Sequence, residues 1–359
     1  MDTGDPRLRP GRGALSNPTG RFEVRRYEPV DDGWGIQDEL PPPLETIARP
    51  EASRSVISRN DSPDIPFSRS INPYRGCEHG CVYCYARPSH AFLNLSPGLD
   101  FETRLFFKDG AVRELRRELS ARGYRCEPVH LGANTDPYQP LERRLAITRG
   151  VLEVLLECRH PVTITTKSAL ILRDRDLLAA LAREGLVHAS LSITTLDVDL
   201  KRRLEPRAPG AAARLAALGG LTAAGVPAGV LVAPVIPVLT DHELERILEA
   251  ARDAGAQDAG YVVLRLPGEV RGLWLEWLQA HYPGKAAHVM SVLRNLRGGS
   301  DNDPRFGRRM RGQGVYADLL GARFHAACRR LGLATGGGQA LDASKFRPPV
   351  AGHGQLEMF

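Results

Sequence analysis

The chain has 359 residues, 42% of them apolar and 25% charged, and carries a formal charge of +6 in which arginine far outnumbers lysine. That much apolar side chain builds a substantial core and excludes a disordered polymer, while six cysteines in so long a chain exclude a disulfide scaffold and point to a reducing compartment. The longest apolar run, 229–239, is broken by Pro234 and Pro237 and falls short of the ~20 residues a membrane helix needs, and Asp2, Asp5, Arg7 and Arg9 open the chain where a signal peptide would be apolar, so a cytoplasmic protein is expected.

Residues 1–60 alternate Gly, Pro and charge around a rigid Pro41-Pro42-Pro43 spacer and read as a flexible extension without a site. From Ile65 an apolar alternation runs through Phe67, Ile71 and Tyr74, as a first strand does, and delivers the loop Arg75-Gly76-Cys77-Glu78-His79-Gly80-Cys81-Val82-Tyr83-Cys84-Tyr85. Downstream, helices expected at 112–119, 145–157, 174–184, 211–224 and 243–254 alternate with strands expected at 128–131, 162–166, 187–194, 226–235 and 261–266. About six β/α units with right-handed crossovers give a parallel sheet closed partly or fully into a barrel, whose chemistry sits at the C-terminal ends of the strands. Beyond 266 the rhythm stops. Leu273, Trp274, Trp277 and Leu278 within 270–280, and Leu319, Leu320, Phe324 and Cys328 within 316–331, fall at helical spacing and predict two amphipathic helices packed on the barrel. The organisation expected is an extension over 1–60, a catalytic core over 61–267 and a helical, basic region over 268–359.

Cys77, Cys81 and Cys84 form a C-x3-C-x2-C run that offers three thiolates and no fourth. Thiolate is the soft ligand of iron–sulfur clusters, and an electron-transfer cluster of the 4Fe–4S kind normally takes four, so one iron is left open to chelate a small molecule. A structural zinc site of Cys77, His79, Cys81 and Cys84 is the competing reading, but His79 stands two residues from each neighbour rather than in a separated ligand pair. Gly76 and Gly80 permit the turns that aim three sulfurs at one point, and Arg75 and His79 could donate hydrogen bonds toward the cluster or simply pack in the loop.

This run resembles that of the radical S-adenosylmethionine enzymes, and the strand ends that follow resemble the spore photoproduct lyase branch over roughly residues 62–266. The resemblance implies a partial (βα)6 TIM-like barrel. It also implies a 4Fe–4S cluster on Cys77, Cys81 and Cys84 whose open iron holds the amino acid end of S-adenosyl-L-methionine. An external electron donor such as flavodoxin or ferredoxin would then drive release of a 5′-deoxyadenosyl radical that abstracts hydrogen from a substrate. Tyr83 and Tyr85, in the pattern Cys-x-Tyr-Cys-Tyr, would relay a hydrogen atom or pack around the cluster. Asn134, Thr135 and Asp136 in Gly132-Ala133-Asn134-Thr135-Asp136-Pro137 would accept from the methionine amino group. Lys167 in Thr165-Thr166-Lys167-Ser168 would meet the carboxylate. Ser192 and Thr194, on one face of a strand, resemble carboxylate and ribose contacts. Glu205 in Glu205-Pro206 would accept from a ribose hydroxyl or form an exposed salt bridge with Arg202, Arg203 or Arg207, and Ala233-Pro234 resembles the backbone platform under adenine. One departure stands out: aligned on Thr135-Asp136, the lyase's hydrogen-donating cysteine falls at Ala133, which has no S–H.

Arg305, Arg308, Arg309 and Arg311, interleaved with Phe306 and Gly307, form a basic patch suited to phosphate, so DNA or RNA is the substrate class to test. Two readings compete with the enzyme: a metal-stabilised nucleic-acid-binding protein without turnover, and an electron-transfer cluster that takes Cys126, Cys158 or Cys328 as fourth ligand. Cys158, near a helix end, and Cys328, on an apolar helix face, read as core.

Overall fold

Short runs rich in Val, Ile and Leu, each followed by an amphipathic helix, assemble into a layered α/β structure in the computed structural model, which describes residues 11–23, 44–336 and 340–349. The Pro41-Pro42-Pro43 spacer lies outside those residues. The strands are β1 (Ile47–Pro50), β2 (Ile57–Arg59), β3 (Arg69–Ile71), β4 (Tyr74–Arg75), β5 (Arg104–Phe107), β6 (Val129–Leu131), β7 (Val162–Thr166), β8 (Val187–Ile193), β9 (Ala228–Val235), β10 (Asp258–Val263) and β11 (Ala334–Thr335). The helices are α1 (Asp100–Thr103), α2 (Ala111–Leu119), α3 (Glu142–Leu145), α4 (Ile147–Glu157), α5 (Arg175–Arg183), α6 (Val198–Leu204), α7 (Ala211–Ala223), α8 (Leu244–Asp253), α9 (Val270–His281), α10 (Pro283–Leu296) and α11 (Val315–Leu331).

Strands β3, β6, β7, β8, β9 and β10 pair side by side in parallel, with Ile71 opposite Leu131, Leu131 opposite Ile164, Ile164 opposite Ala189, Leu191 opposite Val230 and Val230 opposite Ala259. The antiparallel β2 and the parallel β11 occupy the two edges, so the sheet is an open, partial barrel of six β/α units. β8 is buried on both faces, as a parallel strand covered by helices must be. Leu115 and Leu119 of α2, Val151 and Leu155 of α4, and Ile247 and Leu248 of α8 close over the sheet in one continuous apolar cluster.

Four features depart from the pattern expected. The first strand is interrupted: Pro73, which has no N–H for a ladder, ends the pairing of β3, and β4 turns to join β5 and β1 in a separate small sheet. β10 leaves the sheet at Val263 instead of running to Leu266, because Arg297 takes the carbonyls of Val263 and Leu264. Helices α6 and α10, both too short or too evenly mixed to stand out by periodicity, were not anticipated. Residues 11–20, expected to be loose, are packed: Ala14 and Leu15 are buried and Leu99 N–H donates to Ser16 O (3.2 Å). The Trp helix α9 does pack on the barrel, at the end where the strands finish, with Trp274 and Trp277 stacked at 5.1 Å against Val82, Leu200 and Leu204.

Candidate metal and cofactor site

The cysteine loop closes over the C-terminal ends of the strands and is pinned from several sides. Gly76 and Gly80 sit at φ of +74° and +67°; a Cβ at Gly76 would lie 2.6 Å from Leu105 Cδ2, and one at Gly80 would lie 2.8 Å from Glu102 Oε2. Cys77 N–H donates to Phe101 O (2.9 Å) and Val82 N–H to Leu204 O (3.1 Å), while Gln139 donates to Gly76 O (3.1 Å) and accepts from Glu78 N–H (3.0 Å). Cys77 and Cys81 are buried, Cys84 is half-buried, and all three are free thiols. Burial pushes each thiol up; for Cys77 the Asp136 carboxylate and the other two thiols push it further, so the pocket resists three thiolates unless a strong positive centre joins them. A multi-iron cluster supplies that charge, and the donor set fits it. His79, the fourth member of the zinc alternative, is turned elsewhere: its Nδ1 lies 3.4 Å from Asp136 Oδ2.

Beneath the loop lies an ion pair that sequence inspection did not find. Arg87, fully buried, donates to Cys81 O (2.9 Å), Gly80 O (3.3 Å), Pro97 O (3.1 Å) and Gly98 O (2.8 Å), and pairs with buried Glu102 at 2.5 Å. Glu102 accepts in turn from Gly13 N–H (3.0 Å) and Ala14 N–H (2.8 Å), and Arg12 donates to Glu102 O (3.1 Å). The segment 11–20 is thereby fastened across the back of the cysteine loop. Arg75, left between donation toward the cluster and packing in the loop, pairs with Glu51 at 2.9 Å on the rim, where β4 joins the small sheet.

A second buried network gathers residues from β7, β8, β9 and the end of α6. Lys167 Nζ donates to Ser192 Oγ (2.9 Å), Thr194 Oγ1 (3.0 Å) and Ala233 O (2.9 Å) and pairs with Glu205 Oε1 (3.0 Å). Ser192 and Thr194 share one strand face, and both hydroxyls also reach Ala233 O. Glu205 is not a surface residue paired with Arg202, Arg203 or Arg207: it is fully buried against Arg214, whose guanidinium also holds Ser192 O (2.8 Å) and Pro209 O (2.9 Å). Burial works to raise the Glu205 carboxyl, but Arg214 and Lys167, with the Thr194 hydroxyl, hold it well below the usual carboxylate range. Tyr83 points its phenol at Glu205 and Thr194 under the Lys167 ammonium, and burial followed by the Glu205 charge pushes the phenol far up, so it stays a neutral donor. The Ala233–Pro234 peptide is cis, and the Ala233 carbonyl accepts from Lys167, Ser192 and Thr194 inside this network.

The second strand end is divided in its uses. Thr135, expected as an acceptor, is buried and its hydroxyl donates to Tyr74 O (2.7 Å). Asp136 accepts from Thr166 Oγ1 (2.7 Å), Tyr138 N–H (2.9 Å) and Lys167 N–H (2.8 Å) and faces His79; burial opposes its ionisation, but His79 and these donors outweigh it and keep the carboxyl low. Its oxygens tie β6 to β7 and the cysteine loop. Asn134, half-buried at the rim, is held by its backbone N–H on Asn72 Oδ1 (2.9 Å). Tyr85 is 48% exposed and its phenol donates to the Ala133 carbonyl.

Cys158 and Cys328 are buried in the sheet–helix core and Cys126 precedes β6 at the other end of the barrel, so none accompanies the trio. Much of the basic patch is engaged at home: Arg305 pairs with Asp303 (2.8 Å), Arg309 with Asp64 (2.6 Å) while lying over Phe306, and Arg311 lies over Tyr261. Among the described residues no helix is long and apolar enough to cross a membrane.

With this geometry in hand, comparison with known proteins is specific. Residues 71–251 match the family model of the radical SAM superfamily, SAM being S-adenosyl-L-methionine. An uncharacterized protein of Mycobacterium bovis is 40% identical over 232 residues, 64% of this chain and 68% of its own length. One from Methanocaldococcus jannaschii is 30% identical over 173 residues, 48% of this chain and 62% of its own. Among solved structures, a spore photoproduct lyase mutant superposes with a TM-score of 0.56 at 14% identity over 88% of each chain, and the lyase complexed with dinucleoside spore photoproduct gives 0.55 at 16% identity over 80% of this chain and 81% of its own. At these identities the likeness establishes the fold.

Proposed function

The chain belongs to the radical SAM superfamily, a class of enzymes whose cofactors are a 4Fe–4S cluster and S-adenosyl-L-methionine, and from that premise we propose that Cys77, Cys81 and Cys84 hold the cluster and that the enzyme abstracts hydrogen from a nucleic-acid substrate. When bound, the cluster supplies an electron and an open iron for cleavage of the sulfonium to a 5′-deoxyadenosyl radical. The observation that carries the assignment is that three unpaired thiols, two buried and one half-buried, share the C-terminal ends of the parallel strands with a largely buried cation, Lys167.

The chain's own residues then divide the work. Lys167 is the cation for the methionine carboxylate, with Ser192 and Thr194 beside it; Glu205 and Arg214 fix the position of that ammonium rather than touching ribose. Asn134 is left as the rim acceptor for the amino group, since Thr135 and Asp136 are committed to the scaffold. Tyr83 is a positioning residue on Glu205, and Tyr85, half-exposed on the Ala133 carbonyl, is the phenol placed to exchange a hydrogen atom with a bound substrate. The buried Trp274 and Trp277, behind the loop, keep water from that side. A nucleic-acid substrate is supported by the arginine-rich mouth and by the dinucleoside ligand of the lyase that shares the fold.

Anaerobic reconstitution with iron and sulfide, followed by S-adenosyl-L-methionine and dithionite, tests the reading. A brown protein that forms 5′-deoxyadenosine, faster with an oligonucleotide present, supports it; Cys77→Ala, Cys81→Ala and Cys84→Ala together should abolish both colour and product. A colourless zinc protein, or iron–sulfur protein inert toward S-adenosyl-L-methionine, would sink it.

A further inference from the structure

Arg265 stands two residues beyond the end of β10, at the same end of the sheet as the cysteine loop, and its charge has no carboxylate partner among the described residues. Its Nε is buried without a hydrogen-bond acceptor, and among the described residues the one hydrogen bond its guanidinium makes is to the sulfur of Met310 at 3.6 Å, a weak acceptor. The loop that carries Met310 is bolted to β10: Val263 N–H donates to Met310 O (2.8 Å), and Arg297 bridges Val263 O (3.1 Å) and Leu264 O to Arg308 O (3.1 Å) and Arg309 O (2.9 Å). Arg297 is itself buried and its Nε also lacks an acceptor.

Three guanidinium groups are thus crowded at one edge of the mouth. Burial and then Arg309 lower the Arg265 pKa, and burial and then Arg265 pull Arg297 down to about 10. Asp64, whose charge reaches Arg265, is taken by Arg309 (2.6 Å) and Gly307 N–H (2.6 Å), and Asp303 is taken by Arg305. A cation held half-buried beside like charges is unfavourable unless an anion completes it. Two exposed aromatic rings belong to this end: Tyr85, 48% exposed, the last residue of the cysteine loop, and Phe306, 56% exposed under the Arg309 guanidinium at 4.6 Å.

We propose that Arg265 is an anion subsite that takes one phosphodiester of a single-stranded nucleic acid at the barrel mouth, with adjacent bases stacked on Tyr85 and Phe306. Planar guanidinium matches phosphate oxygens in pairs, and alternating aromatic and cationic groups are how single strands are gripped without sequence preference. The subsite rests on the radical-enzyme reading with nucleic acid as substrate, and it places the strand so that one nucleotide lies beside Tyr85.

Fluorescence anisotropy with a short fluorescein-labelled oligothymidylate, on cluster-loaded protein over a series of salt concentrations, tests it. Arg265→Gln should weaken binding by about tenfold and reduce the magnitude of the salt slope by about one, Arg265→Lys should lose about threefold, and Arg122→Gln, on the far side of the barrel, should bind like wild type. Inorganic phosphate should compete with the oligonucleotide on wild type more than on Arg265→Gln. Melting curves confirm that each variant is folded, and Arg265→Lys keeps the test open if Arg265→Gln is not. Arg265→Gln that binds like wild type, equal losses at Arg122 and Arg265, or no binding by wild type would each overturn the subsite. Formation of 5′-deoxyadenosine by wild type is measured separately, so a failure of the radical assignment shows there and a failure of the subsite shows in the binding curves.

Discussion

At the N-terminal ends of β6 and β7 two buried imidazoles are neutral. His130 donates or accepts at Thr163 Oγ1 (2.8 Å), His160 is held between Tyr124 and Pro161 O, and burial takes both imidazoles down to about 4. At the C-terminal ends the buried groups are charged: Arg87 with Glu102, Arg214 and Lys167 with Glu205, Asp136 beside His79. The first end gains stability by removing apolar surface from water, with these two imidazoles kept uncharged and the charge of Arg69 met by Glu127 at the edge. The second holds charges that burial disfavours, and it does so where the proposed cluster and its charged sulfonium ligand would be received. Fixed charges of known sign in a dry setting are the means by which a site recognises ionic ligands, and their cost in stability is offset only while every partner is present.

The sharpest way to break this contrast is Glu205→Ala, which strands Arg214 and Lys167 in the interior and should cost ~3–5 kcal/mol in urea unfolding. A loss below ~1 kcal/mol would mean that the network is not the buried, fully paired assembly described. Leu191→Ala, in the sheet core, should cost ~2–5 kcal/mol through its cavity, and that loss should not change with salt.

Acid separates the two ends. His130 and His160 have folded values near 4 against 6.5, so the unfolded chain binds their protons first; stability is full above pH 6.5 and falls as pH drops toward 4, by up to ~3 kcal/mol for each. Glu205 is depressed in the folded state from 4.5, so its contribution is full above pH 4.5 and is lost only as pH falls through its lower folded value. Melting temperatures should therefore start to fall between pH 6.5 and 4.5, and His160→Phe should flatten that part of the curve. An unchanged melting temperature across that interval would contradict the assignment of neutral histidines. Smallest of all, Arg75→Ala removes a half-exposed pair with Glu51 and should cost less than ~1 kcal/mol, with the reduction potential of the cluster unmoved.

The same division governs what the sequence discloses. The β/α rhythm was legible from 112 to 254 because each helix there has one apolar stripe and each strand a short Val/Ile/Leu run, both imposed by the sheet they cover. The cysteine run was legible because ligand spacing is local. Arg87, Glu102 and Arg214 were not: a charged residue reads as surface until the fold brings a partner 15 or 9 residues away, and the 11–20 segment meets Glu102 across 88 and 89 positions. Glu205 and Arg75 stayed ambiguous for the same reason, since no local pattern says which of many arginines turns inward. Gly13 carried a faint signal, as only glycine fits where a Cβ would stand 1.7 Å from Gly80 O.

The central claim is that three cysteines and no other side chain bind the cluster, leaving one iron open. Mössbauer spectra of the isotopically enriched, reconstituted holoenzyme, recorded before and after addition of S-adenosyl-L-methionine, test it most directly. The account predicts that one iron of the four in the cluster changes its isomer shift on addition while the other three do not. Four equivalent irons that ignore the sulfonium compound would contradict it.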